Sequence, residues 1–328
     1  MSDLYRPFRF SRSGLKGLKP SPTLSINERV HDMRAAGRDV YHLGFGESRF
    51  PVHPLIARAL QDNAQQRSYL PALGLPALRT AVADFYARHF DLEVSSNQVV
   101  IGPGSKSLIY AMLAALEADI IMPAPAWSSY QDLATFTGRP VLEVLMDAGH
   151  EYRPDPGRIE EAIRKAAEQW RQPDTLLMCN PHNPTATTLS ASEVGAIARF
   201  ARDNELMILS DEIYSLVTYD EKSHTPFARE YPQGTITLGG LSKQMSMGGY
   251  RLGVAILPPT AAGEALERAV QAIAGCIWSC ASAPVQYAAL VAYSGDPEVE
   301  AYMRRCTEIH ATRTRYLYDA LIEFGISC

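Results

Sequence analysis

The sequence has few cysteines, and they show no metal-binding or disulfide pattern. Only five of the 328 residues are cysteine, an odd and scattered set. This usage favours reduced thiols in a cytoplasmic protein over a disulfide framework. Cys276 and Cys280 lie four residues apart, but no histidine or second cysteine pair lies near them, so buried packing is favoured over a zinc site. We therefore expect no metal.

Long apolar runs and an excess of positive charge are also absent. No stretch approaches 18 consecutive apolar residues, so no transmembrane helix is predicted. The net charge of -5 argues against nucleic-acid binding, which normally needs a clustered basic patch. Residues 1–17 are basic and contain serine but lack an apolar segment, which excludes a secretory signal. They are predicted to form a flexible arm, with a transit peptide as the alternative.

Short apolar runs rich in β-formers alternate with amphipathic helical stretches along most of the chain. The predicted strands are 98–101, 119–122, 141–145, 175–179, 206–210, 235–238 and 252–256. The predicted helices are 26–36, 105–116, 159–170, 191–204, 261–274 and 297–324. The alternation predicts an α/β fold with a mainly parallel sheet covered by helices on both faces. Ligands of such sheets bind at the carboxyl ends of the strands.

A lysine follows the sixth predicted strand in a loop rich in glycine and serine. Residues 241–253 read Leu-Ser-Lys-Gln-Met-Ser-Met-Gly-Gly-Tyr-Arg-Leu-Gly. Glycines let such a loop approach a bound phosphate closely, and Arg251 can clamp the same phosphate with two hydrogen bonds. For Lys243 or Arg251 taken singly, a surface lysine or a salt-bridged arginine is the simpler interpretation.

Two more strand ends carry polar motifs. Asn-Pro-His-Asn-Pro-Thr (180–185) indicates a fixed loop with a cis peptide that aims an asparagine inward, although an ordinary turn also fits. In Ser-Asp-Glu-Ile-Tyr (210–214), Asp211 ends a buried strand, where a carboxylate is costly unless it meets a cation such as a protonated pyridine nitrogen. The alternative is a helix N-cap, worth about 1 kcal/mol. Tyr214 follows three residues later.

The remaining motifs surround the second predicted strand. Gly-Pro-Gly-Ser-Lys (102–106) precedes a predicted helix, whose free N–H groups can bind an anion. Trp127 ends Pro-Ala-Pro-Ala-Trp (123–127) after the strand. An aromatic plate stacked on a flat heterocycle and a core tryptophan are equally good interpretations.

Taken in their order along the chain, from about residue 44 to residue 253, the five motifs resemble those of the class I/II aminotransferases of fold type I, which use pyridoxal 5'-phosphate. The resemblance implies a seven-stranded large domain and assigns Lys243 as the Schiff-base lysine that also moves the substrate's α-proton. Asp211 would hold the pyridine nitrogen, Asn183 and Tyr214 would bind the ring's phenolic oxygen, and Trp127 would stack on the ring.

The resemblance also implies where phosphate, substrate and a second subunit bind. Residues that match the phosphate cup are Gly104, Ser105, Lys106, Ser242 and Arg251. Gly46, together with Trp127 and Asn183, would border the substrate. Tyr69 resembles the tyrosine that reaches the phosphate of the neighbouring subunit, so a homodimer is expected.

Four features depart from the family pattern. Ala186 replaces the usual glycine of Asn-Pro-Thr-Gly, and Gly240 replaces a serine or threonine before the lysine. The arginine that grips the substrate carboxylate does not appear in the C-terminal stretch.

We therefore expect a chain with an N-terminal arm and small-domain segment (1–45), a large cofactor-binding domain (46–293) and an incomplete C-terminal small domain (294–328). Residues 276–280 are apolar where dicarboxylate-specific relatives carry an arginine, which favours neutral or aromatic amino acids.

The expected function is transamination of an L-amino acid with a 2-oxo acid, with an internal aldimine at Lys243. One alternative is a lyase on the same scaffold, of the C–S lyase or cyclopropane-forming synthase type, because the shared step is carbanion stabilisation. Another is a protein that binds pyridoxal phosphate without catalysis. A dinucleotide-binding oxidoreductase is set aside because no Gly-x-Gly-x-x-Gly follows an early strand.

Overall fold

The computed structural model describes residues 22–44, 46–168, 173–219 and 224–326. The predicted arm (1–17) lies outside these ranges. Within them the helices are α1 (Pro22–Ala35), α2 (Pro54–Asp62), α3 (Pro76–Phe90), α4 (Ser105–Ala115), α5 (Ser128–Thr137), α6 (Pro156–Ala167), α7 (Ala191–Asp203), α8 (Phe227–Glu230), α9 (Ala261–Ile277), α10 (Ala283–Tyr293) and α11 (Pro297–Glu323). None of the helices in this part of the chain is long and apolar enough to cross a membrane.

The strands form one seven-stranded sheet in the order β1-β7-β6-β5-β4-β2-β3. They are β1 (Val99–Gly102), β2 (Asp119–Ala124), β3 (Val141–Leu145), β4 (Pro173–Cys179), β5 (Met207–Asp211), β6 (Thr235–Gly240) and β7 (Gly253–Ile256). Only β7 runs antiparallel to its neighbours, β1 and β6. The prediction of a mainly parallel sheet is confirmed, and each predicted strand lies within two residues of an observed one.

Helices cover both faces of the sheet, as predicted. Because side chains alternate along a strand, neighbouring residues of β5 enter different cores. Leu209 packs in a core with Leu108 of α4 and Val270 of α9. Ile208 packs in the opposite core with Ile197 of α7 and Phe227 of α8. Burial on both faces explains why these strands read as continuous apolar runs.

Five helices lie outside the predicted ones. They are α2, α3, α5, the four-residue α8 and α10. The α10 segment, Ala-Pro-Val-Gln-Tyr-Ala-Ala-Leu-Val-Ala-Tyr, is apolar nearly all round and packs against both α2 and α3. A helix without a polar face shows no 3.6-residue period, so tertiary packing decides its conformation.

Candidate active site

The polar motifs converge at the carboxyl edge of the parallel strands. Register aligns Cys179, the last residue of β4, with Asp211, the last residue of β5. Asp211 in turn pairs with Leu238 of β6, the strand that leads to Lys243. Three loops that are far apart in the sequence therefore begin side by side.

Lys243 is half-buried and contacts the backbone at Gly46. Its Nζ donates a hydrogen bond to the Gly46 carbonyl at 2.5 Å and lies 5.4 Å from the centre of the Tyr214 ring. Burial lowers the pKa of the Lys243 ammonium, while the carboxylates of Asp211 and Glu47 act in the opposite direction. Lys243 is therefore half-buried beside two carboxylates, which differs from a fully exposed lysine in a turn.

Asp211 is a buried carboxyl with neutral partners. Its Oδ2 accepts from the Tyr130 hydroxyl at 2.7 Å, and its Oδ1 accepts from the Ile213 backbone N–H at 3.3 Å. Burial is the main cause that raises the pKa of Asp211 to about 6, and nearby Glu212 raises it further. No helix begins at Asp211, so the N-cap interpretation is wrong. Within the described residues no cation forms a salt bridge with it.

The Asn183 loop lies above the Tyr214 hydroxyl. Asn183 Nδ2 donates to Tyr214 Oη at 3.4 Å. Both Asn–Pro bonds of the loop, before Pro181 and Pro184, are cis, which confirms the predicted cis geometry. Burial and the charge of Asp211 raise the pKa of Tyr214, so its phenol stays protonated at neutral pH. Asn183 and Tyr214 thus offer an N–H and an O–H at one place.

A cluster of positive charge surrounds the start of α4. Gly104 has φ +92° and caps this helix without a side-chain hydrogen bond, which leaves backbone N–H groups free. The Arg251 guanidinium lies directly against Gly104, where a Cβ would stand. Burial lowers the pKa of Lys106, and the charge of Arg251 lowers it further. Within the described residues no carboxylate forms a salt bridge with Lys106 or Arg251, so their positive charge is available to an anion.

Trp127 joins the two halves of the site. Its ring centre is 4.7 Å from Lys106 Nζ and 5.2 Å from the centre of the Tyr130 ring, which it meets edge-on. The indole is half-buried and packs against the core that contains Leu209. Trp127 therefore packs in the core and also lies beside the charged cluster, so the two interpretations of this residue do not exclude each other.

Two predicted residues, Ser242 and Tyr69, differ in how exposed they are, and one residue of the site, Tyr130, was not predicted. Ser242 is half-buried next to Lys243. Tyr69 is 86% exposed. Tyr130, the donor to Asp211, was not predicted, because it belongs to α5, a helix with no clear signal. Its only signal in the sequence is its position one turn after Trp127.

The departure at Gly240 has a packing explanation. A Cβ on this residue would lie 2.8 Å from the Leu252 carbonyl oxygen and 3.1 Å from Gly253 Cα. Real Cβ atoms do not approach backbone oxygen that closely, so β6 and β7 leave no room for a serine or threonine. The missing hydroxyl is therefore a consequence of how β6 meets β7.

The departure at Ala186 leaves strain in the Asn183 loop. Ala186 has φ +60°, a left-handed conformation that costs an ordinary residue about 1–2 kcal/mol. Glycine removes this cost but loses about 0.5–1 kcal/mol of backbone entropy. We expect Ala186→Gly to raise the free energy of unfolding by roughly 0.5–1 kcal/mol, measured by chemical denaturation.

The matched control is Ala272→Gly. Ala272 is exposed in the middle of α9 and has ordinary helical backbone. Glycine there should lower the free energy of unfolding by about 1 kcal/mol. If both substitutions destabilised the protein equally, the strain assigned to Ala186 would be wrong.

The raised pKa of Asp211 predicts how the ligand-free protein responds to pH. The folded-state pKa of about 6 exceeds the ordinary 3.8, so the folded state binds this proton more tightly. The resulting stability is fully present below about pH 4 and is lost as the pH rises through about 6. Asp211→Asn removes this titration. We expect the variant's stability relative to wild type to rise between pH 4 and 7, by up to roughly 3 kcal/mol. Denaturation of both cofactor-free proteins across this range measures the difference, and a pH-independent difference would contradict the assignment.

Comparisons with known proteins agree with this site. The family model described as "Aminotransferase class I and II" matches residues 38–328. The aspartate aminotransferase of Bacillus subtilis (strain 168) is 30% identical over 324 residues, covering 96% of this chain and 79% of the relative. That of Geobacillus stearothermophilus is 32% identical over 321 residues, covering 95% and 78%. The structure of the Thermus thermophilus aspartate aminotransferase with maleate superimposes with a TM-score of 0.89 at 27% identity, covering 97% of this chain and 81% of that one.

Fold and site together define an enzyme of the pyridoxal-phosphate fold type I class. The chain belongs to the class I and II aminotransferases. It uses pyridoxal 5'-phosphate to transfer an amino group between an amino acid and a 2-oxo acid. The comparisons do not favour the lyase and the non-catalytic alternatives. The residues also fit the cofactor, because a buried carboxyl hydrogen-bonded by neutral donors and two cations at the start of α4 lie near Trp127 and its neighbour Tyr130.

Proposed function

We propose that Lys243 binds the cofactor covalently and moves the proton at the substrate's α-carbon. The observation that carries this proposal is the position of its Nζ, half-buried between Gly46, Tyr214 and Asp211, with a lowered pKa. A neutral amine is both a nucleophile and a base. Pyridoxal phosphate, when bound, supplies an electron sink for the negative charge that develops at the α-carbon.

The remaining ring contacts come from the strand ends. Asp211, ionised beside a cationic ring nitrogen, keeps that nitrogen protonated, and the Tyr130 hydroxyl orients the carboxylate. Asn183 and Tyr214, which contact each other, would donate hydrogen bonds to the ring oxygen of the bound cofactor. Trp127 would stack on the ring and exclude water from it.

The charged cluster at α4 is proposed to hold the phosphate. Free N–H groups at the helix start and two cations match a dianion in charge and in hydrogen-bond donors. The residues are Gly104, Ser105, Lys106, Ser242 and Arg251. Tyr69, exposed in one subunit, is proposed to complete the phosphate site of its partner, so the active unit is a homodimer.

The substrate is proposed to bind between Gly46, Trp127 and Asn183. The named relatives support aspartate as the donor, whereas the apolar residues 276–280 of this chain favour a neutral or aromatic donor. Turnover of aspartate, phenylalanine and leucine with one 2-oxo acid separates these possibilities. A clear preference for aspartate would overturn the inference from residues 276–280.

We further propose that the chain divides into an N-terminal segment (1–45), a large cofactor-binding domain (46–293) and a C-terminal segment (294–328). We also propose a cytoplasmic location, supported by the free thiols of the four described cysteines, Cys179, Cys276, Cys280 and Cys306.

The decisive experiment is an absorbance titration of wild type and Lys243→Ala with pyridoxal phosphate. Wild type should develop a visible band that bleaches on addition of an amino acid. Borohydride reduction should then fix the cofactor on the peptide that contains Lys243. Lys243→Ala should bind the cofactor without this linkage. A linkage at another lysine, or an unchanged band in Lys243→Ala, would overturn the assignment.

A further inference from the structure

A buried glutamate and histidine lie directly behind the site. Glu212 Oε2 and His224 Nε2 are 2.8 Å apart, and both side chains are fully buried. Glu212 Oε1 also accepts from the Ser210 hydroxyl at 2.8 Å and from the Phe227 backbone N–H at 3.3 Å. Glu212 thus has three hydrogen-bond partners, and no lysine or arginine in the described part of the chain forms a salt bridge with it.

The position of the proton on His224 follows from Asn180. The Leu189 backbone N–H donates to Asn180 Oδ1 at 3.1 Å, which fixes the orientation of the amide. Asn180 Nδ2 therefore faces His224 Nδ1, at 3.4 Å. An amide NH₂ can only donate, so Nδ1 must accept, and the ring proton is on Nε2. The imidazole is then neutral and Glu212 is ionised, because a protonated His224 would direct N–H against N–H₂.

Within the residues that the structure describes, no lysine or arginine forms a salt bridge with Glu212. Asp211 ends β5 and Glu212 follows it directly, and Tyr86 of α3, whose pKa is raised by burial, by Tyr293 and by both carboxylates, adds no positive charge. The Phe90 ring meets the His224 ring edge-on at 5.5 Å. Among the described residues, the donors to Glu212 are therefore the Ser210 hydroxyl, the Phe227 N–H and His224 Nε2.

The same network fixes the frame of the site. Asn180 N–H donates to the Asp211 carbonyl at 3.1 Å, and Glu212 N–H donates to the Leu238 carbonyl at 2.8 Å. Asn180 also closes the loop that contains Asn183, through its bond to Leu189. The ends of β4, β5 and β6, which carry the Asn183 loop, Asp211 and the chain to Lys243, are thus joined through one buried cluster.

We propose that Glu212 is a positioning residue that supplies a second buried negative charge behind Asp211, with His224 and Asn180 holding it in place as neutral donors. The role assigned to it rests on the proposed function of Asp211. The second charge favours the protonated ring nitrogen once the cofactor is bound, because two carboxylates stabilise a nearby cation more than one does. The hydrogen bonds of the network keep Asp211 and the Asn183 loop at fixed positions.

The first test needs no cofactor. Histidine labelled with ¹⁵N distinguishes the two neutral tautomers and the imidazolium, and the resonance absent from His224→Gln identifies His224. We expect the ring proton on Nε2, with Nδ1 unprotonated and accepting from Asn180. A proton on Nδ1 would overturn the proposal. If His224→Gln fails to fold, loss of the nonexchangeable ring signals in His224→Phe provides the same assignment.

The second test uses the protein loaded with pyridoxal phosphate. Glu212→Gln keeps the side chain's size and removes its charge. We expect the pH midpoint of the cofactor's visible band to fall by about one pH unit, and kcat to fall about tenfold with KM changed less than twofold. Ser210→Ala is the matched control, because it removes one donor to Glu212 but no charge, and its midpoint should stay within a few tenths of a unit.

The outcomes separate the two proposals. If wild type forms no Lys243-dependent band, the proposed function fails, and the ¹⁵N experiment still decides the state of the network. If wild type forms the band and Glu212→Gln shifts neither its midpoint nor kcat, only the role of Glu212 is overturned. Equal shifts in Glu212→Gln and Ser210→Ala would show that packing, rather than charge, is responsible, and would also overturn it.

Discussion

Asp211→Asn is expected to lower kcat by roughly 10²–10³-fold with little change in amino-acid KM. The asparagine has nearly the same shape and still accepts the Tyr130 hydroxyl, but it carries no charge to hold the ring nitrogen protonated. The loss therefore falls on the step in which negative charge develops at the α-carbon. Single-turnover kinetics with one amino acid, followed at the cofactor band, isolates this step.

The matched variant for this prediction is Tyr130→Phe. It removes the 2.7 Å hydrogen bond to Asp211 but leaves the carboxylate in place. We expect roughly a tenfold loss of kcat, in proportion to one hydrogen bond to a charged group. A fall in kcat for Asp211→Asn no larger than that for Tyr130→Phe would mean that Asp211 does not act through its charge. Denaturation of the ligand-free Asp211→Asn variant at the assay pH checks that loss of folding does not cause the loss of rate.

Gly104→Ala is expected to weaken pyridoxal-phosphate binding roughly 10²-fold, the equivalent of one or two charge-assisted hydrogen bonds. Two causes act together. The φ of +92° disfavours any residue with a Cβ, at about 1–3 kcal/mol, and that Cβ would occupy the place of the Arg251 guanidinium. Arg251 must move away from the start of α4, which breaks up the cluster of donors.

Gly249→Ala provides the control for Gly104→Ala. Gly249 lies in the same loop as Arg251, is exposed, and has no atom within 4 Å of the position of a Cβ. Its affinity for pyridoxal phosphate, followed by absorbance titration, should match that of wild type within about twofold. If Gly104→Ala bound the cofactor as tightly as Gly249→Ala, the phosphate would lie elsewhere.

The strands of this protein could be predicted from the sequence alone, together with the motifs at their ends. Runs such as Leu-Leu-Met-Cys and Met-Ile-Leu-Ser are apolar because both faces of the sheet are covered, and such runs are legible without a structure. The order of the strands in the sheet is harder to predict from the sequence than their positions in the chain. That β7 enters antiparallel between β1 and β6 depends on contacts between segments about 150 residues apart in the sequence.

The sequence determined which chemical groups the site contains, because Lys243, Asp211, Asn183, Arg251 and the glycines follow strands in recognisable motifs. Only the tertiary structure decided their electrostatic state. Burial raises the pKa of Asp211, and the amide of Asn180 faces Nδ1 of His224. The structure also decided which neighbours act on them, such as Tyr130 from a helix without a clear pattern. Local sequence fixes chemical type, whereas desolvation and hydrogen-bond partners come from residues that only the folded chain brings together.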